Sequence, residues 1–197
     1  MDHADELTQL WQRWLSDAAF EAMFRPQELE PFVPQIGSDG LTPTLLVHTL
    51  TGDGRLVRQV MRIVIEDREF NDWDTRLAIM RTIAGMIARQ GLQVVALQLG
   101  SEAWTRAFTP EEDAARGDRS LAEYADREEI LVVFGQTIDG RCIIAQAPLQ
   151  KTAEERVHSV GDWTLTRSWD LPPDDMRSPL LRAFFHAYLH TKMEHHP

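Results

Sequence analysis

Ser101-Glu102-Ala103-Trp104 closes one apolar run of the chain, and Asp126-Arg127-Glu128-Glu129 opens the next, Ile130-Leu131-Val132-Val133. Glu102 and Arg127 thus fall at the ends of two strands that an antiparallel meander makes neighbours, so the expected contact is an ion pair. A carboxylate held by an arginine stays ionised, which suits a structural tie or a ligand anchor better than a general acid. Trp104 adds an aromatic ring at the same strand end. Glu102, Trp104 and Arg127 are therefore the candidate ligand-binding residues.

The other reactive side chains lack the company that catalysis needs. Gly100-Ser101-Glu102-Ala103 misses the second glycine of the G-x-S-x-G nucleophile elbow. Cys142 is the one cysteine, placed within an apolar strand, so it reads as a small buried side chain, and a zinc deaminase needs a close pair. His48 and His158 stand alone and read as core or surface residues. No phosphate loop or dinucleotide fingerprint occurs, and no cofactor is expected. His186, His190 and Glu194 fall at i, i+4 and i+8 of a helical segment, a spacing that can hold a divalent metal. Position 187, however, is Ala where the zinc-protease motif has its glutamate, and Phe184, Phe185, Tyr188 and Leu189 supply no acidic support. Metal is not favoured there.

These residues depend on Gln93 to Gln150. Gln93 to Glu102 reads as a strand with Val95, Leu97 and Leu99 on one face and Val94, Ala96, Gln98 and Glu102 on the other, half-polar face, where a site could open. Asp139-Gly140 between two apolar runs predicts a two-residue hairpin turn. That register sets Phe134 opposite Ala145, Val132 opposite Ala147 and Ile130 opposite Leu149 on one buried face. A strand ending Ser101-Glu102-Ala103-Trp104, an acidic loop and then Asp126 to Val133 resembles a group of uncharacterised bacterial and phage proteins. The resemblance covers the middle third of the chain. It implies that Glu102, Trp104 and Arg127 act together, and it implies no catalytic roles.

Around this centre the pattern is helical at both ends. Asp5 to Arg25 carries Leu7, Leu10, Trp11, Trp14, Leu15 and Ala18 on one stripe, so it covers a sheet face or reaches out as an arm to a second subunit. Residues 26–43 read as a Pro- and Gly-rich connector without regular structure. Thr44 to Leu50 and Leu56 to Ile65 form a second hairpin around Thr51-Gly52-Asp53-Gly54-Arg55. Asp72 caps a central helix over 72–90, stopped by Gly91. Residues 108–129, with eight acidic and three basic side chains, read as a long loop that is either a lid or plain surface. Trp163 to Trp169 is an edge strand, and Ser178-Pro179 starts the last helix.

The expected fold is one α+β domain over residues 1–197, with a mainly antiparallel sheet of five or six strands and the central and two terminal helices packed on it. A formal net charge of −11 opposes binding to nucleic acid, and no apolar run is long enough to span a membrane. The acidic start Met1-Asp2-His3-Ala4-Asp5-Glu6 is unlike a secretory signal, so the expected place is the cytoplasm. Six tryptophans and no catalytic pair point to a soluble, non-enzymatic binding or assembly protein, a homo-oligomer or a partner of another protein. The alternative is a small hydrolase or ligand-binding enzyme with a pocket at Glu102 under the acidic loop 108–129.

Overall fold

In the computed structural model, which describes residues 16–51, 53–63, 72–115, 117, 121–167 and 178–195, three β-hairpins are closed by the same kind of turn. In each, the first residue is a threonine whose N–H donates to the carbonyl of an arginine four positions on: Thr51 to Arg55 at 2.9 Å, Thr137 to Arg141 at 2.9 Å, Thr152 to Arg156 at 2.8 Å. The fourth residue, Gly54, Gly140 or Glu155, donates back to the threonine carbonyl and lies at φ 77°, 93° or 59°. The threonine hydroxyl accepts the arginine N–H at 3.1, 3.0 and 3.3 Å. This is a three-residue loop ending in a left-handed residue.

The extra loop residue shifts the expected register by one. Phe134 pairs with Ile144, Val132 with Gln146 and Ile130 with Pro148, so the faces of the two strands combine the other way round. Leu131, Val133, Ala145 and Ala147 make the fully buried face, while Gln146 and Pro148 point to solvent.

The strands are β1 (Thr44–Leu50), β2 (Leu56–Arg62), β3 (Gln93–Thr105), β4 (Glu128–Thr137), β5 (Cys142–Lys151), β6 (Val157–Val160) and β7 (Thr164–Arg167). They form a seven-stranded antiparallel sheet in the order β2-β1-β3-β4-β5, with β6 and β7 both beside β5. The α+β architecture is the one the sequence predicts, with one strand more than the upper expectation. β2 ends at Arg62; positions 64 and 65 of its predicted span lie outside the described residues, as do Ser168 and Trp169 beyond β7.

Helices cover both faces. On one, α3 (Trp73–Arg89) and α5 (Pro179–His195) bury Met80, Ala84, Ile87, Leu181 and Phe184 against Leu45, Val47, Leu97 and Leu99. Asp72 caps α3 by accepting from Thr75 N–H at 2.8 Å, and Tyr188 of α5 donates to Leu92 C=O at 2.7 Å. The β1–β3 register shifts between His48 and Thr49, leaving Val95 as an extra residue, so Val94 rather than Val95 joins Leu97 and Leu99 on this face.

The other face is covered by α1 (Asp17–Ala22), α2 (Pro26–Leu29) and a 3-10 turn, Glu30–Phe32. Phe20, Met23, Phe24, Leu29 and Phe32 pack on Leu46, Ala96, Val133, Ile143 and Ala145. The connector predicted from residue 26 is therefore helical at first, because Pro26 takes the first helical position where its missing N–H costs nothing. Positions 5–15 of the predicted N-terminal helix, with Trp11 and Trp14, lie outside the described residues. No helix among the described residues is long and apolar enough to cross a membrane.

Candidate functional site

β3, β4 and β5 present one face toward the N-terminal segment, and the candidate residues share it. Alternate residues of β3 on this face are Gln98, Gly100, Glu102 and Trp104, and each meets a different neighbour. Gln98 donates to Met23 C=O at 3.0 Å. Gly100 seats the Phe32 ring; a Cβ there would lie 2.2 Å from it, and one on Gly135 of β4 would lie 2.1 Å from the Phe24 ring. Glu102 accepts the Leu41 N–H at 2.5 Å through Oε1 and Lys151 Nζ at 2.8 Å through Oε2. Only glycine fits at position 40, where φ is 147° and a Cβ would lie 2.0 Å from Glu102 Oε1. The face that was expected to open as a site is thus covered by residues 23–41.

The predicted Glu102–Arg127 pair is not formed. Glu102 lies inside β3 rather than at its end, and its cation is Lys151, which also stands 3.4 Å from Glu129. Burial works to lower the Lys151 pKa, and Glu102 and Glu129 outweigh it, so the ammonium is held above its usual value. Arg127 instead lies over the Trp104 ring at 4.9 Å and donates to Tyr124 C=O at 3.0 Å. Trp104 is 42 % exposed, and its indole N–H points to Glu129 Oε1 at 3.4 Å. Trp104, Arg127, Glu129, Lys151 and Glu155 line an open depression of 320 Å³. The structure therefore joins Trp104 to Arg127, and Glu129 and Lys151 connect that pair to the Glu102 contact.

The acidic loop is more ordered than its composition suggests. Thr109-Pro110-Glu111-Glu112 is a capping box: Thr109 N–H donates to Glu112 Oε2 at 2.9 Å, and Glu112 N–H to Thr109 Oγ1 at 3.2 Å. It starts α4 (Pro110–Ala115) inside the expected loop, and the 3-10 turn Leu121–Glu123 follows. Arg106 holds the segment together, sitting 4.5 and 4.7 Å from the Phe108 and Tyr124 rings and bonding Glu112 at 2.8 Å and Asp126 at 2.8 and 2.9 Å. Its side chain is 13 % exposed. The Arg106 hydrogen bond keeps the Asp126 carboxyl below its usual range, as do the Thr109 N–H and then Arg106 for Glu112.

His48 is buried in β1. Gln98 donates from Nε2 to Met23, so its Oε1 faces His48 Nε2 at 2.7 Å and that nitrogen must carry the proton. His48 Nδ1 has no partner among the described residues. Burial holds the imidazole pKa down, against the Gln98 bond. His158 is exposed on β6. Cys142 is buried, as expected. Of the metal candidates, His190 Nδ1 lies 3.5 Å from Glu194 on the exposed side of α5; no group of three potential ligands occurs among the described residues. Comparison with protein-family models, with curated proteins and with solved structures returns no match.

Proposed function

We propose that the chain is a non-enzymatic binding or assembly protein that recognises a protein partner, or a second copy of itself, through the Trp104–Arg127 end of its sheet. The engagement of Glu102 carries this reading. Both oxygens of the candidate catalytic carboxylate are held inside the fold, by Leu41 and Lys151, whereas Trp104 remains exposed with an arginine stacked on it. Tryptophan and arginine are the residues that most often anchor protein interfaces. The excess of acid over base supports a place away from nucleic acid.

The test compares affinity capture from a lysate of the source cells by the wild type and by Trp104→Ala with Arg127→Ala. The expected result is a stoichiometric partner, or self-association, lost in the double variant at an unchanged melting temperature; identical profiles remove the reading. Glu102→Gln separates the hydrolase alternative. It should lower stability by about 1–3 kcal/mol, through a weakened charged hydrogen bond, and leave capture intact. Turnover of ester or phosphoester substrates, lost in Glu102→Gln while stability holds, would put the enzyme first.

A further inference from the structure

The two side edges of the sheet are built differently. One is closed by short strands, β6 and β7, each four residues long, with a register shift between Gln150 and Lys151. Short strands and bulges are the usual way to stop a sheet from adding a further strand. The other edge is β2, seven residues paired to β1 without a break in register. Among the described residues nothing pairs with its outer side.

The hydrogen bonds fix which groups point outward. Thr51 N–H donates to Arg55 C=O and Ile63 N–H to Pro43 C=O, so positions 55, 57, 59, 61 and 63 bond inward to β1. By alternation, Leu56, Arg58, Val60 and Arg62 direct N–H and C=O to the free edge, with their side chains on one face. That row reads apolar, basic, apolar, basic. β2 contains no acidic residue in a chain of formal charge −11. Val57 and Val60 are 39 % and 50 % exposed. Arg58 shares Glu28 of α2, while Arg62 has no ion-pair partner among the described residues.

We infer that β2 is a docking edge for an extended acidic segment of another protein, which adds to the sheet as an eighth strand with acidic side chains opposite Arg58 and Arg62 and an apolar one opposite Val60. Backbone bonds to Arg58, Val60 and Arg62 supply the attachment, and the two guanidinium groups select for acid. Charge also argues against a second copy as occupant. Two β2 strands paired antiparallel set Arg58 of one opposite or diagonal to Arg62 of the other, and like charges so placed repel. This surface is independent of Trp104, so failure of one test leaves the other standing.

The probe is an end-labelled peptide Thr-Glu-Thr-Val-Thr-Glu-Thr, with lysine replacing glutamate in the control, and binding is read by fluorescence anisotropy. The acidic peptide should bind at least about tenfold more tightly than the lysine peptide, and less tightly as salt rises. Val60→Pro removes an outward N–H that pairs with nothing among the described residues, a change that edge strands tolerate. It should abolish binding at an unchanged melting temperature, and Arg62→Glu should reverse the preference between peptides. A readout independent of any variant is amide exchange in the wild type: the N–H groups of Arg58, Val60 and Arg62 should be protected when the peptide is added. No binding, equal binding of both peptides, no added protection, or a dimer that Val60→Pro dissolves would each overturn the inference.

Discussion

Glu155 occupies the left-handed position that glycine takes in the two sister turns, with φ 59° against 77° at Gly54 and 93° at Gly140. A side chain there costs about 1–2 kcal/mol in contact with the following carbonyl. Glu155→Gly removes that cost but gives the unfolded chain back about 0.4–1 kcal/mol of freedom, so the expected net gain is about 0.5–1 kcal/mol, read as a higher urea midpoint. The Asp-Gly pair was visible in the sequence as a turn, but not the length of its loop. Thr51 and Thr137 each hydrogen-bond the aspartate two positions on and the arginine N–H four positions on, and those bonds select three residues over two. The single-residue difference decides more than the turn. In the predicted register Lys151 falls on the opposite face from Glu129; in the observed one it reaches both Glu129 and Glu102. The carboxylate that strand-end position pairs with Arg127 is therefore held by Lys151.

The N-terminal segment lies along β3 and β4 through point contacts that hydrophobic periodicity cannot signal. Gly100 and Gly135 look like weak places in two strands, yet each is the socket for a phenylalanine, Phe32 and Phe24. The regular elements were legible because each of their signals is local: the Asp72 cap and the Gly91 stop of α3, and the continuous apolar runs of β1 and β4. The covering of the half-polar face was not, because Met23, Phe32 and Leu41 meet Gln98, Gly100 and Glu102 across some 60 to 75 residues of chain. Gly135→Ala should cost about 1–3 kcal/mol, since the Phe24 ring must move out of a packed site. Combined with Phe24→Leu, the loss should be smaller than the two single costs added, a coupling that a double-mutant cycle in urea measures. Strict additivity would mean that Phe24 does not sit in the Gly135 socket.

Both helical layers close on a central sheet whose one deeply buried titratable imidazole is His48, and this gives the molecule a definite response to acid. Burial lowers the His48 pKa in the fold; the Gln98 bond opposes that, Arg58 adds to it and Glu28 opposes it. The unfolded chain regains the ordinary histidine value, about 6.5. Between the two values the unfolded state binds a proton that the native state refuses, so stability rises with pH across that window. It is fully present above about pH 6.5 and is lost as pH falls toward the folded value. Glu21, Glu112 and Asp126 respond lower down: each is held below the carboxylate range, Glu21 by its bond to Arg167, so their contribution disappears only as pH falls through their own lowered values. Salt separates the two groups, because Glu21, Glu112 and Asp126 are partly or largely exposed and screened, whereas His48 is enclosed. Urea midpoints measured from pH 8 to pH 3 should therefore fall in two stages. His48→Gln should flatten the stage below about pH 6.5, whatever constant offset the substitution adds, and leave the stage below about pH 4.5 in place. High salt should do the reverse, and a slope near pH 6 that survives His48→Gln would assign the response to another histidine.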